Sequence, residues 1–284
     1  MLRARTATIV LVVAVVGNGA TCYEQPNDPS PLADVTLPGV DTRTLTPREK
    51  HEFSDYIREL PAPCSDVAVP VGLCVVEKRA CAKCLPAARV VAKSVRDGLS
   101  REQIEENYRN RFEPIYVHTI SVDGSPSRGP DNAPVVLIEF ADFECPSCEK
   151  MAPILDAIWD KHQNELRMVY KFLPLSIHPH SEIAARAGFA AFQEGHFWEM
   201  HKKLFANRSH LERTDVEGYA QAIGLDLTKF RADMDSQAAT DALARDRKQA
   251  DELMVKSTPT IYINGHEYDW RGDVADWITT ELVK

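Results

Sequence analysis

Positive charge is in short supply in this chain: 33 Lys and Arg stand against 42 Asp and Glu, a net charge of −9 over 284 residues. An acidic surface repels phosphate backbones, which argues against nucleic acid as a general partner. Past the first twenty or so residues no apolar run reaches the ~20 residues that a membrane-spanning helix needs. A phosphate-cradling glycine loop, a Ser–His–Asp arrangement, a zinc-protease motif and an internal repeat are all missing. Those absences remove the common nucleotide, serine-hydrolase and metalloprotease readings. Cysteine is sparse too: seven residues cannot staple a chain of this length in the manner of a disulfide-rich miniprotein. What is present, 44% hydrophobic and 26% charged residues, suits a globular protein with material for roughly two domains at about 150 residues each.

The chain opens on Arg3 and Arg5 followed by an apolar run over residues 7–16. That run is too short to span a bilayer and has the length of a secretory h-region, so residues 1–21 read as a signal peptide. Its end has two readings. Cleavage can follow Ala20, or Gly19-Ala20-Thr21-Cys22 can serve as a lipoprotein-type box with Cys22 lipidated, which leaves an even six of the seven cysteines. Either way the expected location is periplasmic or otherwise extracytoplasmic, where disulfides persist. Residues 22–44, rich in Pro, Asp and Thr, read as a linker.

Residues 45–113 predict a small helical domain. Thr46 caps a first helix, with Pro47 in its first position and Glu49 completing a capping box. Phe53, Tyr56, Ile57 and Leu60 follow at i, i+3, i+4, i+7, and Pro61 and Pro63 end the helix. An irregular stretch over 64–81 precedes a second helix over 85–97, terminated by Gly98. A third starts at the Ser100–Gln103 capping pair and carries Ile104, Tyr108 and Phe112. Large apolar side chains are few here, so a covalent staple is expected.

The turn-rich residues 123–134 mark a break. Beyond it, residues 135–141 form an apolar strand of the kind covered on both faces. A helix follows Cys145 to about residue 166, and 168–173 is a second strand. Residues 181–256 are helical with interruptions at Gly195 and Gly224. Residues 260–263 form a short strand, Asn264-Gly265 turns a hairpin into 266–270, and a last helix covers 273–283. The plan is α/β.

The sharpest chemistry lies at Cys145-Pro146-Ser147-Cys148, between a strand and a helix. A helix N-terminus offers free N–H groups and a positive dipole end, which favour thiolate over thiol. The spacing of three puts Cys148 on the same side, within disulfide reach. Cys145 is then the attacking thiol and Cys148 the one that resolves the mixed disulfide, a redox-active pair that needs no other cofactor. Asp142, Glu144 and Glu149 crowd the pair. Negative charge raises a thiol pKa, so the expectation is a couple short of a very strong oxidant. His178 and His180, with no further ligands nearby, read as solvent-facing loop residues, and His196, Phe197 and Trp198 as core and surface of the helical insert.

The segment FADFECPSCEKMAPIL resembles the active-site strand and helix of the thioredoxin superfamily, specifically its DsbA-type thiol:disulfide oxidoreductases, with Pro153 matching the helix-kinking proline. FLPLSIHPHSEIAARAGFAA and GHFWEMHKKLF are similar to that family's helical insertion, and STPTIYINGHEY to its cis-proline loop and hairpin. The resemblance implies a thioredoxin-like fold with helical insertion over 114–284, preceded by the small all-α domain. It implies that Thr258-Pro259 is a cis pair facing the disulfide, with backbone free to bind an extended substrate segment. It also implies that Glu139 is a buried acid handling the proton of the resolving thiol, partnered by Lys171 on the next strand. The substrates would be cysteines of other exported proteins, and turnover would need a membrane or periplasmic redox partner that resets the pair. The alternative is a non-catalytic thiol-binding scaffold or a cytochrome c maturation partner.

The helical domain's Cys64, Cys74, Cys81 and Cys84 have three readings. They form two structural disulfides, as suits an exported small domain. They hold zinc as four thiolates. Or Cys81 and Cys84 make a second redox pair, since the stretch 81–112 faintly resembles the CxxC helical region of CcmH-type cytochrome c maturation proteins. In the first case crossed pairs such as Cys64–Cys81 are expected to be structural, and carry no metal.

Overall fold

The computed structural model describes residues 36–270 and 273–282. The signal peptide, both readings of its end, Cys22 and most of the linker lie outside the described residues.

The helical domain is built from α1 (Pro47–Glu59), α2 (Val71–Val76), α3 (Cys84–Arg96) and α4 (Arg101–Phe112). Both capping boxes form: Thr46 and Glu49 exchange backbone-to-side-chain bonds at the start of α1, as Ser100 and Gln103 do at α4. Helix α2 falls inside the stretch expected to be irregular, because six residues that include a Gly and three Val have weak helix propensity and only packing decides it. Phe53, Tyr56, Ile57, Val91, Ile104, Tyr108 and Phe112 bury together, a fuller core than the composition suggests. Disulfides Cys64–Cys81 and Cys74–Cys84, with Cα separations of 5.8 and 6.0 Å, tie the loop after α1 and helix α2 to the start of α3. The linker expected to run to residue 44 ends sooner. Leu37, Val40 and Leu45 are buried in this core, and Arg89 Nε donates to the Gly39 carbonyl at 2.8 Å.

The second domain is organised on a five-stranded sheet, in the order β1 (Ser127–Arg128), β3 (Leu166–Phe172), β2 (Val135–Ala141), β4 (Thr260–Ile263), β5 (His266–Glu267). β2 and β3 are parallel and the remaining pairings antiparallel. β1 lies inside the stretch read as a turn-rich break. Two residues carry no periodicity, and Gly129 beside it runs at φ 102° with its missing Cβ facing the Leu166 carbonyl, where any side chain would collide.

Alternation along the strands divides the sheet into two faces. Val135, Leu137, Met168, Ile261 and Ile263 pack against α5 (Pro146–His162) and α11 (Val274–Glu281). Ile138, Phe140, Val169 and Tyr262 pack toward Ala250 of α10 (Gln237–Glu252). The expected long helical stretch is divided into α6 (Ser181–Gln193), α7 (Phe197–Ala206), α8 (Arg213–Ala222), α9 (Leu227–Met234) and α10. Its aromatic core of Phe143, Tyr170, Phe172, Phe197 and Phe205 reaches up to Cys145 and Cys148.

The helical domain docks at the hairpin end of this sheet. His266 Nδ1 lies 2.7 Å from the Asn110 carbonyl, and Arg111 stacks on Trp277 at 4.7 Å while donating to Thr280 Oγ1 at 2.8 Å. Lys83 pairs with Glu281 at 3.0 Å. Asn264 in the hairpin bonds Val136 at the start of β2, whereas Cys145 follows its end. Six strand steps of ~3.3 Å separate the two ends by about 20 Å.

Candidate active site

Strand β2 hands the chain to α5 through a turn closed by the Cys145 N–H, which donates to the Asp142 carbonyl at 3.1 Å. Cys145 is thereby the N-cap of α5, and Pro146, lacking an N–H, occupies the first helical position, where none is needed. The backbone N–H groups of Ser147 and Cys148 help to lower the Cys145 thiol, as the positive end of a helix does. On the other side Cys145 Sγ lies 3.3 Å from the Thr258 carbonyl oxygen, and the Thr258–Pro259 bond is cis. Cys148 is fully buried one turn along α5, its Sγ accepting from the Asp142 N–H at 3.5 Å. Cys145, Cys148, Thr258 and Pro259 are thus brought together, with both cysteines as free thiols.

The two thiols differ sharply. Cys145 is lowered from an ordinary 9.0 to about 4, foremost by its hydrogen bond with the Cys148 thiol, against burial, with help from Thr258 and the backbone N–H groups of Cys148 and Ser147. Burial first, then the bond to Cys145 and the charge of Glu139, push Cys148 far above its usual value. The expected upward shift of Cys145 is therefore corrected. Each crowding acid has a partner: Asp142 Oδ2 lies 2.7 Å from His178 Nδ1 and also accepts the Leu175 N–H. Glu144 accepts the His180 N–H at 2.6 Å and meets its Nδ1 at 3.2 Å. Glu149 accepts from Arg208 Nε at 2.8 Å. Asp142 is itself raised above the usual carboxylate value by burial, which weakens its opposition further. His178 and His180 are accordingly not free loop residues. The sequence reading of them as solvent-facing, in preference to metal ligands, passed over the two-residue spacing that Asp142/Glu144 and His178/His180 share. Nothing local pointed to Arg208.

Glu139 sits on the α5 face of β2, 4% exposed, with Oε1 making no hydrogen bond. Burial, then the negative charge of Asp156, raise it to about 8, against Arg128. Lys171 does not partner it. In the parallel register Glu139 faces Tyr170 and Lys171 faces Phe140, so Lys171 points to the opposite face of the sheet. There its Nζ donates to Ser125 Oγ at 2.8 Å and pairs with Asp246 at 3.4 Å, fully buried. The resemblance that paired them put Lys171 on the right strand but the wrong face. Phe197 is core of the insertion, Trp198 stacks on Arg128 at 4.1 Å, and His196 faces Glu199 at 3.6 Å.

In the helical domain the sulfurs of Cys74, Cys81 and Cys84 lie within 4.8 Å of one another, the convergence a zinc site would need. All four cysteines there are consumed in Cys64–Cys81 and Cys74–Cys84, so no thiolate is left to ligate. Cys81 and Cys84 also belong to different disulfides, which departs from the reading of them as a redox pair.

Comparison with known proteins matches the thioredoxin family model to residues 121–280. Among solved structures, the chain is similar to a thioredoxin-like oxidoreductase from Silicibacter pomeroyi, at 25% identity and a TM-score of 0.51, over 56% of this chain and 90% of that one. It shares the fold of BdbD from Bacillus subtilis, at 23% identity and 0.52, over 58% and 97%. Curated relatives are Na(+)/H(+) antiporters named NhaA 1. That of Salinispora arenicola is 39% identical over 142 residues, 50% of this chain and 22% of the antiporter. That of Mycolicibacterium gilvum is 35% identical over 154 residues, 53% and 25%. The chain spans a quarter or less of those relatives, and no described helix is long and apolar enough to cross a membrane.

Proposed function

This chain belongs to the thioredoxin family, in a DsbA-like form with a helical insertion, and on that premise we propose that it exchanges disulfides with cysteines of other exported proteins through Cys145 and Cys148. The observation that carries the reading is the asymmetry of the pair. Cys145 sits at a helix N-cap against the Thr258 carbonyl with its thiol lowered to about 4, and Cys148 is buried behind it and pushed upward. A stabilised thiolate favours the reduced protein, so the disulfide form gives itself up readily and the proposed direction is oxidation of substrate dithiols. A substrate thiolate attacks Cys145 and the Cys145–Cys148 bond breaks. Cys148 leaves with the electron pair. The second substrate thiolate then attacks the substrate sulfur of the mixed disulfide, releasing Cys145 as thiolate. The Thr258 carbonyl offers an edge to an extended substrate. A cavity of about 660 Å³ lined by Leu175, Ile177, His178, Arg247 and Lys256 adjoins that loop.

The same proposal includes export, an oxidising compartment and a redox partner that reoxidises the pair, with lipidation at Cys22 as one form of anchoring. Incubating the oxidised protein with a reduced, unfolded substrate tests the core of it. Wild type forms substrate disulfides and Cys145→Ser does not; offered a substrate disulfide instead, Cys148→Ser accumulates mixed disulfides through Cys145, because the resolving thiol is gone. Full activity in the Cys145→Ser protein sinks the reading.

A further inference from the structure

Beneath the thiols lies a group of polar atoms that the exchange steps leave unused. Glu139 Oε1, Tyr170 Oη, His201 Nδ1 and Trp198 Nε1 are buried and make no hydrogen bond. Orphaned buried polar atoms are costly, and such clusters are where bridging water belongs. Glu139 and Tyr170 are register partners on the same sheet face, and Tyr170 packs edge-on to His201 at 5.6 Å between ring centroids. On α5, Cys148, Ala152 and Asp156 follow at i, i+4, i+8, one line along the helix. Asp156 accepts from Arg128 Nη2 at 2.6 Å, and Arg128 is held between Trp159 at 4.9 Å and Trp198 at 4.1 Å. Asp156, Ala152 and His201 line a cavity of about 270 Å³ that opens between α5 and α7 at the exposed Ala206. Glu139 interacts by charge with both Cys148 and Asp156, and Asp156 borders a cavity that opens to solvent.

We propose that Asp156 is the outlet of a proton path in which Glu139 exchanges a proton with Cys148 and Asp156 exchanges it with solvent through the cavity between α5 and α7. The inference rests on the thiol-exchange reading above and assigns to it the residue that acts through Glu139. When substrate opens the disulfide, Cys148 leaves as thiolate and takes the Glu139 proton, and Glu139 is recharged from solvent by way of Asp156. When Cys148 attacks a mixed disulfide the path reverses. The S–H bond of Cys148 breaks, its proton passes to the Glu139 carboxylate and on to Asp156, the Cys145–Cys148 bond forms, and the departing group leaves as thiolate. Cys145 needs no such path because it is released as a stable thiolate. The charges facing Glu139 are Cys145, Cys148 and Asp156 from α5 and Arg128 from β1, with Tyr170 from β3 beside it and His201 from α7 near Asp156. A Glu139 near 8 suits a group that both takes and gives protons near neutral pH.

The test uses the full chain loaded as a mixed disulfide between Cys145 and nitrothiobenzoate, whose yellow thiolate reports attack by Cys148. In wild type the release rate rises with pH through about 8, the value set at Glu139. Asp156→Asn lowers the plateau about tenfold, a modest share of what positioned proton transfer contributes, and moves the rise to lower pH because a negative neighbour is gone. Asp156→Glu restores both. Ala206→Phe, on the exposed rim, narrows the cavity without entering the core and slows release without moving the profile, so the path is tested even if Asp156→Asn folds poorly. Thiolate titration of Cys145 is unchanged in all three. A wild-type profile in both Asp156→Asn and Ala206→Phe, or an Asp156→Glu protein as slow as Asp156→Asn, overturns the path while leaving thiol exchange standing. A wild-type protein that never releases nitrothiobenzoate overturns the exchange reading itself.

Discussion

Cys81-Ala82-Lys83-Cys84 enters α3 and Cys145-Pro146-Ser147-Cys148 enters α5 with the same spacing, but the two motifs are out of step with their helices. In the first, Lys83 is the N-cap and Cys84 the first helical residue, so Cys81 stands outside the helix start. In the second, Cys145 is itself the N-cap and Cys148 the third helical residue, so the first cysteine stands at the positive end of the helix and the second is buried one turn below. Neighbourhood differs as well. Cys64 and Cys74 reach Cys81 and Cys84 and bond them crosswise, whereas the groups around Cys145 are the Thr258 carbonyl, the Cys148 thiol and three acids held by side-chain partners. Spacing permits a disulfide in both places, but position relative to the helix end decides whether the first sulfur is a thiolate or a staple.

The contrast breaks most visibly in activity. Cys145→Ser should lower disulfide exchange by about a thousandfold or more, as loss of a nucleophile does, while Cys64→Ser with Cys81→Ser leaves the rate within about twofold. A comparable loss in both proteins would make the two motifs one electron relay. Stability reverses the ranking. Removing the Cys64–Cys81 bond, which closes a separation of 17 residues, should cost about 3 kcal/mol, read as a lower denaturant midpoint for the helical domain, whereas reducing Cys145–Cys148 gives no such loss.

Acidity sharpens the difference further. With Cys145 lowered to about 4, its alkylation, corrected for the reagent, should stay nearly flat from about pH 6 to 8 and fall only near 4. Its folded value lies below that of an unfolded thiol at ~8.5. The group therefore stabilises the reduced fold fully above ~8.5 and loses that contribution as pH falls through 4. The difference in unfolding midpoint between reduced wild type and Cys145→Ser, followed across that window, should shrink on acidification. The smallest effect belongs to His178→Gln. It leaves Asp142 with its backbone donors but without the imidazole, and should raise the Cys145 titration midpoint enough to slow alkylation near pH 4 by no more than about fivefold. No shift at all would place the control of Cys145 in the helix terminus alone.

The apolar strand ending before CPSC, the capping boxes at Thr46 and Ser100 and the Asn264-Gly265 turn were legible because each is a local pattern with one physical reading. Residue pairs joined across the fold were not. Lys171 lies one residue from the position that would face Glu139, and a strand sends neighbours to opposite faces, so its true partner, Asp246, comes from a helix 75 positions away. Asp142, Glu144 and Glu149 were legible as charges, but His178, His180 and Arg208, which meet them at hydrogen-bond distance, stand 36 and 59 positions off. β1 and α2 were too short to show a period, and both exist through packing.

The length of β2 separates anchoring from chemistry. At one end Arg111, Lys83 and His266 join the helical domain to the hairpin and α11, and at the other stand Cys145 and Cys148, about 20 Å away by strand rise. Sites that far apart, sharing no partner, change stability additively to within about 0.5 kcal/mol. Substitutions that loosen or tighten the docking of the helical domain therefore combine with those around the thiols without correction, and the redox end can be retuned while the joint is left as it is.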